Sequence, residues 1–415
     1  MSNLLNLTNH LIDFFIYFYQ MKSILDKKFR GKKVLVRVDF NVPLDKKQNI
    51  VDDSRIKASL PTIKKLLNDK ARVILMSHLG RPSCKDERFS LKPIVSLLQK
   101  FLGVQIHFSN DCIGPSAERY VSNLKNGEVL ILENLRFYKE EKLGDWEFSK
   151  KLSKLADVYV NDAFGAAHRK HSSTSVVSSF FPRDKYLGLL LKSEIDNLQK
   201  ALNSPKRPFT AIIGGSKITG KIDVMLSLVD KVDNLIIGGG MAYTFINAMG
   251  GSTGKSVVEK DKLKVAKIIM KKAEESGVKL LLPTDSLNAD NFSNDANINS
   301  SDILNIDSNY MGLDIGNKSI LMFSKAIESS KTILWNGPMG VFEMSNFEKG
   351  TKTICEAVCR STSNGAFSLV GGGDSVAAVK KFNLSNKVSY ISTGGGAMLE
   401  YLEGKELPGI VAILE

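Results

Sequence analysis

The chain has 415 residues, 43% hydrophobic and 24% charged, which is a globular composition too long for one ordinary core and points to two domains. Its net charge of +13 comes from scattered lysines, with no long basic run and no interleaving of basic and aromatic residues, so a nucleic-acid-binding protein is not the expected class. Cys84, Cys112, Cys355 and Cys359 form no CxxC pair, which argues against zinc and fits a reducing cytoplasm.

Residues 1–20 stand apart. LLNLTNHLIDFFIYFYQ is apolar, yet it carries His10 and Asp13, lacks a basic start and a small-residue cleavage site, and is short for a membrane span. Ordinary sequence begins at a second methionine, Met21. The expectation is an upstream extension of unknown role from a misassigned start, with a weak membrane-surface anchor as the alternative.

From there, short apolar runs alternate with amphipathic segments. KVLVRVDF (33–40), ARVILMSHL (71–79), EVLILENL (128–135) and DVYVNDAF (157–164) read as buried strands. RIKASLPTIKKLLNDK (55–70) and KPIVSLLQKFLG (92–103) read as helices between them. Strand then helix, repeated, predicts a parallel sheet covered on both faces. KSEIDNLQKALNSPKRP (192–208) has helical periodicity before a proline-bounded break and reads as a linker helix. The second half repeats the style in FTAIIGG (209–215), NLIIGGG (234–240), VKLLLP (278–283), TILWNGP (332–338), FSLVGGG (367–373) and VSYISTGGG (388–396). Residues 285–310, rich in Asn, Asp and Ser, are expected to form a long surface loop. Cys355 and Cys359, four apart on a helical stretch, read as two buried thiols.

In the first half the strand ends carry cations and amides: Asp39 and Asn41 in VDFNVP, Arg55 in DDSRI, His78 and Arg81 in SHLGRP, Arg136 in ENLRF, His168 and Arg169 in NDAFGAAHR. Each alone reads as a surface or structural residue. Together on one sheet edge they would make a cationic bowl, and the planar fork of arginine suits phosphate and carboxylate oxygens. No serine or cysteine triad and no HxxxH metal site is present.

In the second half three runs share one plan of strand, three glycines and helix, which brings backbone N–H groups and a helix N-terminus to a ligand at the carboxyl edge. A dinucleotide fingerprint fails, because Tyr243, Val376 and Leu399 stand where its last glycine belongs. IIGGSKITGKID lacks the Ser or Thr of a P-loop, having Ile222 there, and GGSTGKS at 250–256 follows a helical stretch and reads as a loop. If a helix begins just after Gly215, Lys217 and Lys221 share a face near its N-terminus and would hold a polyphosphate; the bland alternative is two solvated lysines. Asp374 reads as an N-cap or as a ligand for Mg²⁺. A small polyanion on one half and a nucleotide on the other imply phosphoryl transfer across a cleft between two domains.

VLVRVDFNVP, SHLGRP, ENLRF, NDAFGAAHR, WNGPMGVFE and GGGDS, in this order from about residue 22 to the end, closely resemble phosphoglycerate kinase. The resemblance implies an α/β fold of two Rossmann-like parallel-sheet domains joined by a long linker helix, with the cleft between them. It implies a phosphoglycerate-binding domain at 21–190, a nucleotide-binding domain at 191–399 that begins with the linker helix 191–205, and a tail, 400–415, packing back on the first domain. The implied activity is a glycolytic, Mg²⁺-dependent transferase moving phosphoryl between 1,3-bisphosphoglycerate and ADP to give 3-phosphoglycerate and ATP. The implied protein is a cytoplasmic, hinge-bending monomer that binds small molecules, with neither nucleic acid nor membrane as partner.

Carried over by motif, Asp39, Asn41, Arg55, His78, Leu79, Gly80, Arg81, Arg136 and Arg169 would bind the phosphoglycerate. Lys217, Gly238, Gly239, Gly312, Leu313, Asn336, Glu343, Gly372, Gly373, Asp374 and Ser375 would bind the nucleotide, with Asp374 on the metal. Arg55, Lys217, Lys221, Gly395 and Gly396 would be the catalytic set, with Gly394 beside them. Two departures stand out: Gly220 where the family has a polar or acidic residue, which would loosen the helix start, and Asn317 where it has proline, near Gly312 and Leu313.

Overall fold

The computed structural model describes residues 22–414, and the expectations for residues 1–20 lie outside the described residues. The chain separates into two compact units: one runs to Ile195 and takes in the segment from Glu406 onward, and the other is Asp196–Lys405. Among the described residues no helix is long and apolar enough to cross a membrane.

The first unit is built on β1 (Lys33–Arg37), β2 (Arg72–Met76), β3 (Ile106–Phe108), β4 (Val129–Ile131), β5 (Val158–Asn161) and β6 (Lys185–Leu187). They form one parallel sheet in the order β3-β4-β2-β1-β5-β6. The strands are near-continuous Val, Ile and Leu because both faces are covered. Val34, Val36, Val73, Leu75, Val158 and Val160 are fully or almost fully buried with Ile56, Ile63 and Leu66 of the helix Ser54–Asn68. Each such side chain contributes about 1.5–3 kcal/mol relative to exposure. The chain passes from β1 to β2 on one side and reaches β5 on the other, so the strand order reverses between β1 and β5.

The second unit contains β7 (Phe209–Ile213), β8 (Asn234–Ile237), β9 (Ser252–Thr253), β10 (Lys279–Leu281), β11 (Asp285–Ala289), β12 (Ile298–Asp302), β13 (Asn305–Ile306), β14 (Met311–Ile315), β15 (Thr332–Asn336), β16 (Phe367–Val370) and β17 (Tyr390–Ile391). Its main sheet is parallel in the order β10-β8-β7-β15-β16-β17, with the reversal between β7 and β15.

Residues 285–310 are not a loop. β12 and β14 flank β11 in an antiparallel three-stranded sheet. Its polar composition hides it, because buried Asn288 and Ser286 make side-chain hydrogen bonds rather than pack as apolar side chains. Asn288 Nδ2 donates to Asn299 Oδ1 and Ser301 Oγ, both at 2.9 Å, and the Ser286 hydroxyl bonds that of Tyr243 at 2.8 Å.

The helix Leu189–Leu202 carries the chain from the first unit into the second. Its start is held by Thr62 Oγ1, which accepts from Leu189 N at 2.8 Å, and by Asp162 Oδ1, which accepts from Leu190 N and Leu191 N at 2.9 and 3.3 Å. The closing helix Pro408–Leu414 lies on the first unit: Gly409 N donates to Ala167 O at 2.8 Å, and Asn161 Nδ2 to Gly409 O at 2.9 Å.

Candidate active site

Because β1, β2, β4 and β5 are parallel, the residues that follow them emerge at one edge. Asp39 and Asn41 follow β1, His78 to Arg81 follow β2, Arg136 follows β4, and His168 and Arg169 follow β5. Arg55 joins them from the first turn of the helix Ser54–Asn68 and forms an ion pair with the buried Asp39. Asn41 Oδ1 accepts from Gly80 N at 2.8 Å, and Arg136 NH1 bonds Gly80 O, so two loops are tied through one glycine. Asn134 clasps Leu79 from both sides, accepting from its N–H at 3.2 Å and donating to its carbonyl at 2.8 Å. Arg169 Nε donates to His168 Nε2 at 3.1 Å, and Arg81 is exposed.

Behind this edge lies a buried relay that sequence reasoning passed over. Arg37, the last residue of β1, is 1% exposed and engages all three nitrogens. Nε donates to Ser173 Oγ at 2.7 Å, NH1 bonds Val38 O, and NH2 donates to His78 Nδ1 at 3.0 Å. Ser173 Oγ in turn donates to Glu141 Oε1 at 2.6 Å. The signal was available: an arginine inside VLVRVDF must find partners, since an unpaired charge there would be costly. As an acceptor from Arg37, His78 Nδ1 carries no proton, and the neutral ring keeps its proton on Nε2 as a donor. Burial, then Arg37, Arg136 and Arg55, hold His78 well below its ordinary value. Burial, then Arg37, Arg136 and Arg169, push His171 down to about 3.

Arg136 is itself pulled down to about 10, first by burial and then by Arg169 and Arg37. Its Nε is buried with no partner among the described residues. Asp39 and Glu141, the carboxylates bonded into the cluster, balance only part of its charge. Such an array can take a small ligand with several negative oxygens.

In the second unit β7 ends at Gly214-Gly215 beside the end of β15 at Asn336-Gly337. Gly214 N donates to Asn336 O at 2.9 Å, and Gly215 N to Pro338 O at 3.0 Å. Lys221 Nζ lies across this reversal point, donating to Gly214 O at 2.5 Å and Asn336 O at 3.1 Å. Burial pushes it down to about 8, with Asp374 acting the other way. The expected helix does not begin after Gly215: a 3₁₀ turn covers Thr219–Lys221 and the α-helix starts at Ile222. Lys217 is exposed ahead of that turn, so the two lysines do not share one helix face. With Gly215 and Gly220 in the segment, helix is disfavoured there.

A cavity of about 300 Å³ opens at this edge. Gly239, Gly312, Leu313, Glu343 and Asp374 line it, together with Tyr243, Phe292, Met311, Met339 and Val341, which sequence reasoning did not assign to a site. A lone phenylalanine in the polar run DNFSNDA was the visible signal for Phe292. Gly239 has φ of +68°, and a Cβ there would lie 2.6 Å from Gly215 N, so only glycine lets the two turns meet. The wall Gly340–Glu343 is tied to β14 by Val341 N donating to Leu313 O at 2.8 Å. Asp314, pushed by burial up to about 7, accepts from Gly350 N at 2.6 Å beside it.

The other predicted residues sit around this cavity rather than on its walls. A side chain at Gly238 would run into Met339. Asn336 is 2% exposed and its Nδ2 donates to Gly371 O at 3.1 Å; Ser375 Oγ accepts from Gly337 N at 2.5 Å. Gly372 and Gly373 start the helix Gly373–Lys381, with Asp374 in its first turn, and Gly395 and Gly396 start Gly396–Leu402. Apolar walls with a carboxylate at Glu343 and a cation and glycine turns beyond suit a nucleoside carrying phosphates.

Among the described residues no group of three or more His, Cys, Asp and Glu could hold a metal ion alone. Asp374 is exposed on the cavity, and no hydrogen bond occupies its carboxylate among the described residues. One free carboxylate beside a phosphate site is what Mg²⁺ takes when phosphate oxygens and water complete its shell.

The family profile described as Phosphoglycerate kinase matches residues 24–405. The phosphoglycerate kinase of Porphyromonas gingivalis is 51% identical over 409 residues, covering 93% of this chain and 98% of that protein. The cytosolic phosphoglycerate kinase of Triticum aestivum is 53% identical, covering 93% and 96%. Among solved structures, the phosphoglycerate kinase of Coxiella burnetii superposes with a TM-score of 0.86 at 41% identity, covering 95% of this chain and 98% of that one. That of Pyrococcus horikoshii gives 0.83 at 32% identity with the same coverage.

Proposed function

The chain belongs to the phosphoglycerate kinase family, and we propose how its two units divide that family's reaction. The reaction is the reversible transfer of a phosphoryl group between 1,3-bisphosphoglycerate and ADP, giving 3-phosphoglycerate and ATP. In our reading the arginine edge of the first unit takes the phosphoglycerate. Arg81, Arg136 and Arg169 hold its phosphate, and Arg55, Asp39, Asn41 and neutral His78 orient the rest. The cavity of the second unit takes the nucleoside, with Glu343 on the ribose and the glycine turns on the phosphates.

The observation that carries this is Lys221. A mostly buried ammonium stands where two glycine turns meet, held by two carbonyls and, among the described residues, bonded to no carboxylate. Such a cation is suited to receive an anion.

Written toward ATP consumption, a carboxylate oxygen of 3-phosphoglycerate forms a bond to the γ-phosphorus, and the bond from that phosphorus to the β-phosphate oxygen breaks. The acceptor is already ionised, so no proton is removed and no general base is needed. The enzyme is thus a phosphotransferase with a carboxyl acceptor. Arg55, Lys217, Lys221 and the N–H groups at Gly395 and Gly396 stabilise charge on the migrating group. Bound with the nucleotide, Mg²⁺ on Asp374 would neutralise phosphate charge. The carboxylate and the γ-phosphate must come within bonding reach with water excluded, or the acyl phosphate hydrolyses. We infer a cytoplasmic monomer.

The test is a coupled assay with 3-phosphoglycerate, ATP and Mg²⁺. ADP should form only when all three are present. ADP formation that is indifferent to 3-phosphoglycerate would overturn the reading.

A further inference from the structure

The segment that carries Lys217 and Lys221 does not hold itself in place. Neither the 3₁₀ turn Thr219–Lys221 nor the helix Ile222–Val229 has a side-chain cap of its own, and Gly220 has no side chain to offer. The N–H groups of Ile218 and Thr219 still need acceptors.

Glu259 supplies them from forty residues away. Its Oε2 accepts from Ile218 N at 2.5 Å and from Thr219 N at 3.3 Å, and its Oε1 accepts from the Thr219 hydroxyl at 2.5 Å. Glu259 is itself anchored: its N–H donates to Thr244 Oγ1 at 3.2 Å, on the helix Ala242–Ala248 that follows the Gly239 turn. Three residues earlier, Ser256 Oγ accepts from Gly312 N at 2.9 Å, on the opposite wall of the cavity. Lys255 N donates to Tyr310 O at 2.7 Å. The stretch that begins as GGSTGKS, unassigned by its failed P-loop spacing, therefore ties together the glycine turn, the β14 wall and the lysine turn.

We infer that Glu259 is a positioning residue for phosphoryl transfer: its carboxylate fixes the backbone between Lys217 and Lys221 and so sets where both ammonium groups stand. The inference rests on the reading of those lysines proposed above. Charge-assisted hydrogen bonds from a carboxylate to backbone N–H groups are the strong kind, and small misplacements of a catalytic cation are expensive in rate.

The experiment compares Glu259→Ala and Glu259→Gln in the wild-type and Lys217→Ala backgrounds, with both substrates varied. In the wild-type background Glu259→Ala should lower kcat/KM for ATP by about tenfold or more, while KM for 3-phosphoglycerate stays within about twofold. Glu259→Gln, which keeps one acceptor, should recover part of that loss. In the Lys217→Ala background the loss from Glu259→Ala should shrink by at least about threefold, because one of the groups it positions is gone. Equal losses in both backgrounds, or both KM values rising together as the melting temperature falls, would overturn the inference in favour of general structural support. So would an unchanged kcat/KM. If Glu259→Ala does not fold, Thr219→Val and Glu259→Gln carry the same comparison. A wild type inactive with 3-phosphoglycerate and ATP would refute the functional reading; an active wild type with indifferent variants would refute only the role of Glu259.

Discussion

Lys221 should give the enzyme an alkaline limit of its own making. Burial lowers it from 10.5 to about 8, which disfavours the ammonium by about 3 kcal/mol in the ligand-free fold. If the charged form is the one that binds phosphate, kcat/KM for ATP should be flat below about pH 7, stand at about half its plateau at pH 8 and fall to about a tenth by pH 9. The limb in kcat should lie higher, because bound polyphosphate restores the charge. Lys221→Arg should abolish the limb, since guanidinium stays protonated, and Lys221→Met should lower kcat more than it raises KM. Stability offers an independent check. The folded-state value lies below the unfolded one, so between pH 8 and 10.5 the unfolded chain binds more protons and the wild type gains stability as pH rises. Relative to Lys221→Met that gain should be about 2 kcal/mol from pH 7 to 9.5, read by denaturant unfolding. A wild-type kcat/KM that stays flat to pH 9.5, or a limb that survives in Lys221→Arg, would refute the assignment.

His78 and His171 should leave no mark on the pH profile between 6 and 8, because both are held neutral; His78→Gln should change the KM for 3-phosphoglycerate without altering the shape of the acid limb. Asp162, pushed by burial up to about 7, binds more protons folded than unfolded between pH 4 and 7, so its stability contribution is lost as pH rises through that window. Asp162→Asn keeps an acceptor for Leu190 N and Leu191 N, and its advantage over wild type in denaturant unfolding should grow by about 2–3 kcal/mol from pH 5 to pH 8; an equal difference at both pH values would contradict this. Asn317 is the first residue of the helix Asn317–Glu328, after an extended Gly316, so Asn317→Pro should raise stability by about 0.4–1 kcal/mol, seen as a higher melting temperature.

The inner strands of both parallel sheets were legible because a strand buried on two faces shows as an unbroken apolar run, whereas the short edge strands β3 and β6 were not named. What stayed hidden was order that polar atoms create. The β11–β12–β14 sheet carries buried polar side chains such as Asn288 and Ser286, so it lacks an apolar alternation to read. Lys217 and Lys221 are four apart, yet the backbone between them is a 3₁₀ turn held by Glu259, a partner that local spacing could not reveal. Arg37 was visible as a charge in a strand, but its chain through Ser173 to Glu141 joins three distant segments. The Gly312 and Leu313 wall could be suspected from the sequence, whereas Phe292 reaches it from a run that reads as loop.

The two edges solve the same problem with different materials, and the difference follows from what each must bind. The first unit concentrates guanidinium groups so closely that burial and mutual repulsion draw Arg136 down to about 10 and leave both inner histidines uncharged. Adding a proton to His78 would deepen that repulsion, so the ring serves instead as a neutral donor fixed by Arg37. The cost of assembling this charge is offset when a polyanion arrives, which favours ligands with several negative oxygens over those with one. The second unit relies on backbone N–H groups and one weakened ammonium, whose proton affinity recovers as phosphate approaches. A donor array of that kind gains most where negative charge is concentrated, and so favours a migrating phosphoryl group over the nucleoside that carries it.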